Sequence, residues 1–205
     1  MDQIIDGKKL PIVEEFYSIQ GEGFHTGKAA YFVRIGGCDI ACEWCDTKFS
    51  WDNNPEVFIN VDEVINRASI MAAKAVVVTG GEPLIHNLNY LCENLKKNNI
   101  STFLETSGAY TLTGQWDWIC LSPKQQNPPK SEIYTKADEL KVIIQTKDDF
   151  IWAEENAMLI GPNCKLFLQP EWSCFHEIIK VVVEYVKSNP KWNISLQAHK
   201  FMQIP

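Results

Sequence analysis

The chain has 205 residues, 45% of them hydrophobic and 22% charged, with seven cysteines and a formal net charge of -7. That length suits one domain, 1–205, with room for a sizeable core, and no apolar run approaches the ~18 residues needed to cross a bilayer. An acidic chain without basic patches argues against a phosphate-binding surface, so the expected partner is a small molecule rather than nucleic acid or membrane. The opening MDQIIDGKKL lacks the ordered basic, apolar and small-residue regions of a secretory signal, so the thiols are expected in a reducing, cytoplasmic setting.

From the N-terminus, Ile12 to Tyr17 alternates weakly and predicts an opening strand. Ser18 to Lys28 is turn-rich; its glycines permit close backbone approach to a ligand, and Gln20 and Glu22 offer hydrogen bonds, so it is either a binding loop or an ordinary hairpin connection. His25 reads as a surface residue. Ala30 to Ile35 is a buried strand in which Phe32 and Arg34 share one face and Tyr31, Val33 and Ile35 the other. Arg34 is one of only two arginines; inside an apolar strand its guanidinium asks for a carboxylate, from a substrate or from a neighbouring Asp or Glu.

That strand delivers GGCDIACEWCDT, Gly36 to Thr47, with Cys38, Cys42 and Cys45 at a C-x₃-C-x₂-C spacing. Each thiolate of an iron–sulfur cubane normally holds one iron, so three cysteines leave the fourth iron without a protein ligand. A structural zinc loop would want a fourth Cys or His, usually in a second pair, and no C-x₂-C follows. Cys92, Cys120, Cys164 and Cys174 stand singly in apolar or mixed segments and read as packing thiols.

A turn around Asn53 to Pro55 leads to a helix from about Asn60 to Ala73, with Asn60 and Glu63 spaced as a capping box. Lys74 to Pro83 is an apolar strand ending in GGEP, whose carbonyl-rich turn and Glu82 suit an ammonium group. A helix near Leu88 to Lys97 precedes the strand Ser101 to Gly108, with Thr106 and Gly108 at its polar end. The short strand Trp118 to Leu121 then enters a proline-rich loop, Ser122 to Lys130, where Ser122 and Lys124 either hold ribose hydroxyls or a carboxylate or simply face solvent. Glu139 to Gln145 is another strand, Thr146 and Asp149 are spaced as a second capping box, and Lys165 to Leu168 is a strand ending at Gln169 to Trp172. Phe175, Ile178, Ile179, Val182, Val183 and Val186 recur at the helical period, with His176 off the stripe. A last strand, Asn193 to Ala198, runs into HKFMQIP; this tail either frays or tucks Phe201, Met202 and Ile204 over the mouth of the fold, carrying a terminal carboxylate inside. About six to eight strands alternating with about four helices predict an α/β fold, a mainly parallel sheet with outer helices closing into an incomplete, open barrel, its site at the C-terminal strand ends.

The cysteine spacing resembles the radical S-adenosylmethionine (SAM) superfamily, and GGEP one β-α unit later resembles its motif for the methionine amino group. More narrowly, SIQGEG, FVR-x₃-C, CDT after the last cysteine, GGEP, ETSG, SPK, LQP and a QxHK tail ending in proline resemble the 7-carboxy-7-deazaguanine synthases, over about Phe16 to Pro205. The resemblance implies a partial barrel of the radical SAM type that converts 6-carboxy-5,6,7,8-tetrahydropterin to 7-carboxy-7-deazaguanine with loss of ammonia, in queuosine biosynthesis. It implies a [4Fe-4S] cluster on Cys38, Cys42 and Cys45, magnesium on Thr47, and substrate contacts at Ile19, Gln20, Gly21, Arg34, Thr106 and Pro205. SAM contacts would fall on Glu82, Gly108, Ser122, Pro123, Lys124, Leu168, Gln169, Pro170 and Glu171, with a reductant such as flavodoxin or ferredoxin and a homodimer as further expectations. Two other readings stand beside it: a glycyl-radical enzyme activating protein, which shares the three-cysteine loop but acts on a protein, and a non-catalytic iron–sulfur or zinc interaction module.

Overall fold

The computed structural model describes residues 6–52 and 58–205. Its strands are β1 Lys9–Ile19, β2 Ala29–Ile35, β3 Phe58–Asn60, β4 Ala75–Gly80, β5 Ser101–Thr106, β6 Trp118–Leu121, β7 Glu139–Ile144, β8 Lys165–Pro170 and β9 Trp192–Ile194. They form one nine-stranded sheet in the order β3-β1-β2-β4-β5-β6-β7-β8-β9. From β2 onward the pairing is parallel, whereas β1 joins β2 and β3 antiparallel at one edge. The linear order leaves the sheet unclosed, which is the open barrel expected.

Helices α1 Val61–Ser69, α2 Asn89–Lys97, α4 Asp149–Ala157 and α5 Phe175–Ser188 accompany two short ones, α3 Ser131–Tyr134 and α6 Ala198–Met202. The longer helices cover the outer face of the sheet, because parallel strands need both faces buried. There Tyr31, Val33, Ile35, Val76, Val78 and Leu104 pack with helix residues such as Val64, Leu91, Leu95 and Val182; each such side chain contributes about 1.5–3 kcal/mol on burial. The inner face carries a smaller apolar cluster of Ala30, Phe32 and Val77, joined by Phe16 and Phe103. Phe16 stacks on Phe32 at 4.9 Å. Arg34 therefore points into the barrel with Phe32, as the alternation requires.

Several expectations change in detail. β1 is longer than Ile12 to Tyr17 because Lys9 to Pro11 pair with β3, a strand too short to show a pattern of its own. The segment after Ile19 connects an antiparallel pair, so it is a hairpin connection, with a 3-10 turn at Gly23–His25. α1 stops at Ser69, and Asn60 caps it by accepting from Asp62 N at 3.0 Å while Glu63 turns to Arg67 at 3.6 Å. Asp149 accepts from Thr146 N at 2.7 Å and from Gln145 N at 2.9 Å, closing the turn before α4. On α5 the core stripe is Ile178, Val181, Val182, Tyr185 and Val186; Ile179 and Val183 stay half-buried outside it, and Phe175 leans on Trp172 and Phe201. The expected Asn193 to Ala198 strand shrinks to Trp192–Ile194 and gives way to α6. The turn around Asn53 to Pro55 lies outside the described residues.

Leu104 is 1% exposed on β5, between β4 and β6 in the sheet. Leu104→Ala is expected to cost about 2–5 kcal/mol through lost burial and a residual cavity, read as a lower denaturant midpoint with unchanged slope.

Candidate active site

β2 ends at Ile35 and turns through Gly36 and Gly37 into the cysteine loop. Gly37 N donates to Ser50 O at 2.9 Å and Cys38 N to Trp51 O at 3.0 Å, so the loop is pinned across its base. The turn after β4 stacks directly on it: Gly81 N donates to Ile35 O and Glu82 N to Gly37 O, each at 2.8 Å. Side chains do not fit between them. A Cβ on Gly80, whose φ is +134°, would lie 2.1 Å from Ile35 O, and one on Gly81 would lie 2.3 Å from Gly37 O. Glu82, 1% exposed, accepts from Leu84 N at 3.0 Å, Ser107 N at 2.8 Å and the hydroxyls of Thr106 and Ser107. A carboxylate has about four lone-pair sites, so these donors fill it, and its side chain binds the turn to the end of β5 at the cavity wall.

Cys38, Cys42 and Cys45 line one cavity of about 360 Å³. Trp51 Nε1 donates to Cys45 Sγ at 3.4 Å, and Thr47 Oγ1 lies 3.5 Å from the same sulfur. Burial pushes the Cys38 and Cys42 thiols up, with Lys124 pulling Cys42 the other way; a metal bound here would displace thiol protons. None of the other four cysteines lines this cavity, two being buried and two half-buried elsewhere. Three thiols without a fourth fit a cubane with one iron open.

An adjoining cavity of about 220 Å³ shares Glu22, Asp46, Thr47, Thr79, Gly80 and Glu105 with the first. Ile19, Gln20, Gly21, Arg34 and Pro205 all line this second cavity, whereas Thr106, Glu82, Ser122, Lys124, Gln169, Pro170 and Glu171 line the first. Gly108, Pro123 and Leu168 line neither. Leu168 is fully buried in the helix-side core, because strand alternation sends it outward where Gln169 faces in, and Gly108, at φ +75°, backs onto Leu121 and Ile133.

Arg34 Nε donates to Glu14 at 2.8 Å and the guanidinium lies 5.7 Å from the Phe49 ring, so a structural ion pair orients it at the cavity wall. Lys124 Nζ donates to Ser122 O at 2.6 Å and Oγ at 2.8 Å, and burial lowers its pKa. Burial works to raise Glu171, but hydrogen bonds from Ser173 and Cys174 hold it below the usual carboxylate range. The tail is docked: Ala198 N donates to Gly21 O at 2.9 Å, Lys200 Nζ to Asp46 at 2.7 Å, and Ser18 Oγ to Pro205 O at 3.0 Å. Phe201 packs on Trp172 and Phe175 while remaining over half exposed.

The sequence reading missed the group between the cavities. Lys141, 4% exposed, donates to Glu22 at 2.6 Å and to Glu105 at 2.9 Å, and Gln20 Nε2 donates to Glu105 at 3.2 Å. Burial would raise Glu22, but Lys141 and the amide of Gln197 outweigh it and hold it at about 2. Burial works against the charge of Lys141, and the carboxylates of Glu105 and Glu22 keep it charged. The available signal was a charged residue alternating into an apolar strand, as for Arg34. His25 was misread as a surface residue: it is half-buried, edge-on to Phe103 at 4.8 Å and Trp118 at 4.6 Å.

Residues 32–120 match the family model of the radical SAM superfamily. The chain is 53% identical over 199 residues to a 7-carboxy-7-deazaguanine synthase of Flavobacterium psychrophilum, covering 97% of this chain and 94% of that one. It is 45% identical to the 7-carboxy-7-deazaguanine synthase of a Synechocystis species, covering 95% and 93%. The crystal structure of QueE from Escherichia coli superposes with a TM-score of 0.83 at 29% identity, over 95% of this chain and 97% of that one.

Because Gly81 touches the loop backbone, Gly81→Ala is expected to part the two turns and lower iron and sulfide content after anaerobic reconstitution, with the fold retained by circular dichroism. Full cluster occupancy in this variant would remove the stacked turns from the loop's geometry.

Proposed function

From membership of the 7-carboxy-7-deazaguanine synthase family of radical SAM enzymes, to which this chain belongs, we infer that it is the lyase that converts 6-carboxy-5,6,7,8-tetrahydropterin to 7-carboxy-7-deazaguanine, releasing ammonia, on the route to queuosine. The observation that carries the reading is a pair of joined cavities, one bearing the three thiols and the other Arg34 and the Gln20–Gly21 loop. When bound, the cluster and SAM would supply the radical chemistry that activates a C–H bond of the pterin. Everything else in the account is the protein's share, which is positioning and electrostatics.

Cys38, Cys42 and Cys45 would hold the cluster. The Gly80–Gly81 turn, shaped by Glu82, would receive the SAM amino group, with Ser122, Lys124 and the Gln169–Glu171 turn around the rest of the molecule. Pro123, Gly108 and Leu168 would act there through backbone alone or by supporting those turns. Arg34, already oriented by Glu14, would bind the substrate carboxylate with its remaining guanidinium donors. The Ile19–Gly21 backbone, Thr106 and the Pro205 main chain would complete substrate binding. Thr47 would give magnesium its hydroxyl oxygen, a hard ligand whose neighbour in the structure is a weakly interacting sulfur. A cavity of about 220 Å³ suits a bicyclic ring better than a polypeptide loop, which favours the lyase over an activating protein. A single domain over 1–205, a cytoplasmic setting, a homodimer and an electron donor such as flavodoxin or ferredoxin belong to the same reading and rest on family likeness.

Anaerobic reconstitution tests it. The lyase forms 5'-deoxyadenosine and 7-carboxy-7-deazaguanine with the carboxypterin; formation only with a partner protein would mean an activating protein, and no SAM cleavage a non-catalytic module. Arg34→Lys is expected to raise KM for the carboxypterin about tenfold or more, since a charge-assisted hydrogen bond contributes about 1.5–3 kcal/mol. Cluster content and SAM affinity should not move, and an unchanged KM would take Arg34 out of the site.

A further inference from the structure

A third cavity, of about 90 Å³, lies inside the barrel beneath the other two. Its upper wall is Gln20, Glu22 and Glu105, which also wall the substrate cavity, and its lower wall is formed at the N-terminal ends of the parallel strands by Ala75, Trp118 and Glu139, with exposed Lys28 at the rim. Two residues facing it carry buried polar atoms without a hydrogen-bond partner, Glu139 Oε1 and His25 Nε2. They are complementary. Lys28 Nζ has only protons to give and lies 3.0 Å from His25 Nδ1, so Nδ1 accepts and the neutral ring carries its proton on Nε2. Glu139 Oε2 accepts from Trp118 Nε1 at 3.1 Å and Phe24 N at 3.2 Å, leaving Oε1 as an unmet acceptor. Such an orphaned donor and acceptor in one small cavity are what a buried water satisfies.

Strand register also sets Glu139 two strands from Glu105 on the same face. Glu105 lies opposite Cys120 and Cys120 opposite Glu139, so the three stand in a row across the barrel interior, with Lys141 bonded to Glu105 above them. We propose that this lower cavity holds ordered water and is a proton-exchange site, in which Glu139 and His25 connect Glu105, at the wall shared with the substrate cavity, with solvent at the N-terminal end of the barrel.

The inference rests on the lyase reading. Loss of ammonia from the carboxypterin is redox-neutral overall: the C–N electron pair leaves with the nitrogen, which takes a proton, and a ring C–H pair becomes the new double bond, its proton passing to the protein. Taking that proton on Glu105 requires its release before the next turnover, and the lower cavity offers a path that does not pass the cofactor. Burial pushes the Glu139 carboxyl up to about 7, Lys141 opposing and Glu105 adding to it. The titratable or charged groups around it are Lys141 on its own strand, Glu105 and Cys120 on β5 and β6, His25 in the hairpin loop, and Cys164 and Lys165 from the β8 side. Burial and Lys28 lower His25 against the opposing charges of Glu105 and Asp138.

Glu139→Gln tests this. Infrared titration of the wild type should show a protonated carboxyl band that disappears near pH 7 and is absent from the variant. In the loaded enzyme, kcat should fall about tenfold or more and lose its limb in that pH range, since proton transfer groups typically contribute at least that much, while KM for the carboxypterin and first-turnover SAM cleavage hold. His25→Phe, which keeps the aromatic packing, should move kcat the same way. Stability separates this from damage to the fold. A carboxyl raised from 4.5 to about 7 on folding loses stability as pH rises through that window, so the Gln variant should melt above the wild type at pH 8 and converge with it near pH 5. A variant that is more stable yet slower supports the relay; wild-type kcat and pH profile in Glu139→Gln, or no titrating band, overturns it. If the wild type does not turn over the carboxypterin, the lyase reading fails and this inference with it.

Discussion

The stacking of two turns, Ile35–Gly37 under Gly80–Glu82, is the constraint from which the site follows. Its two backbone hydrogen bonds extend the parallel ladder of β2 and β4 past the strand ends, where a sheet would normally splay into separate loops. Glu82 then carries the connection one strand further by taking the hydroxyls and N–H at the end of β5. Three successive strand ends thus form one rigid rim. The thiols come from the first, the glycine turn from the second and Thr106 from the third, so distances between cavity walls are set by backbone bonding rather than by loop packing.

Below that rim the barrel interior changes character. A lysine between two carboxylates would be replaced by well-packed apolar residues at little loss of stability, or with a gain, because burying charge costs more than most pairs return. Removing one member instead leaves the others uncompensated, on the order of 3–5 kcal/mol. Lys141 and Glu22 are therefore better understood as fixing charge around Glu105 at the junction of two cavities than as holding the fold together. Their linkage to pH has a definite sign. Glu22, lowered from 4.5 to about 2, contributes stability that is present above 4.5 and lost as pH falls toward 2, opposite in direction to Glu139.

What the sequence revealed follows the same physics. The cysteine spacing and GGEP were legible because thiol placement and the tight approach of glycine leave little choice of residue. Arg34 was legible as a charge in an apolar strand, yet Lys141 carries that signature too and was passed over because no motif framed it, and Glu105 was passed over although it opens the ETSG motif. Leu168 was drawn into the site by the LQP motif although period-two alternation puts Gln169 inside and Leu168 out. β3 and the burial of His25 could not be read locally: a three-residue strand exists only through pairing with Lys9 to Pro11, and His25 is covered only once the hairpin loop folds against β5 and β6.

The short α6 shows how the mouth of an unclosed barrel is made a cavity. Five residues are far below the length at which a helix holds itself together in water, so α6 exists through its contacts. Those contacts bridge two otherwise separate walls: Ala198 N bonds the hairpin loop at Gly21, while Gln197 and Lys200 bond Asp46, the residue after Cys45. Gly21 has no room for a side chain there, since a Cβ would lie 2.2 Å from His199, and Gln197 also reaches Glu22 at 2.9 Å. Tail, hairpin loop and cysteine loop therefore order one another, and whatever fixes the cysteine loop also completes the wall of the neighbouring cavity. In a sheet whose strand order does not close on itself, that mutual dependence couples the two halves of the site without a closed ring of strands.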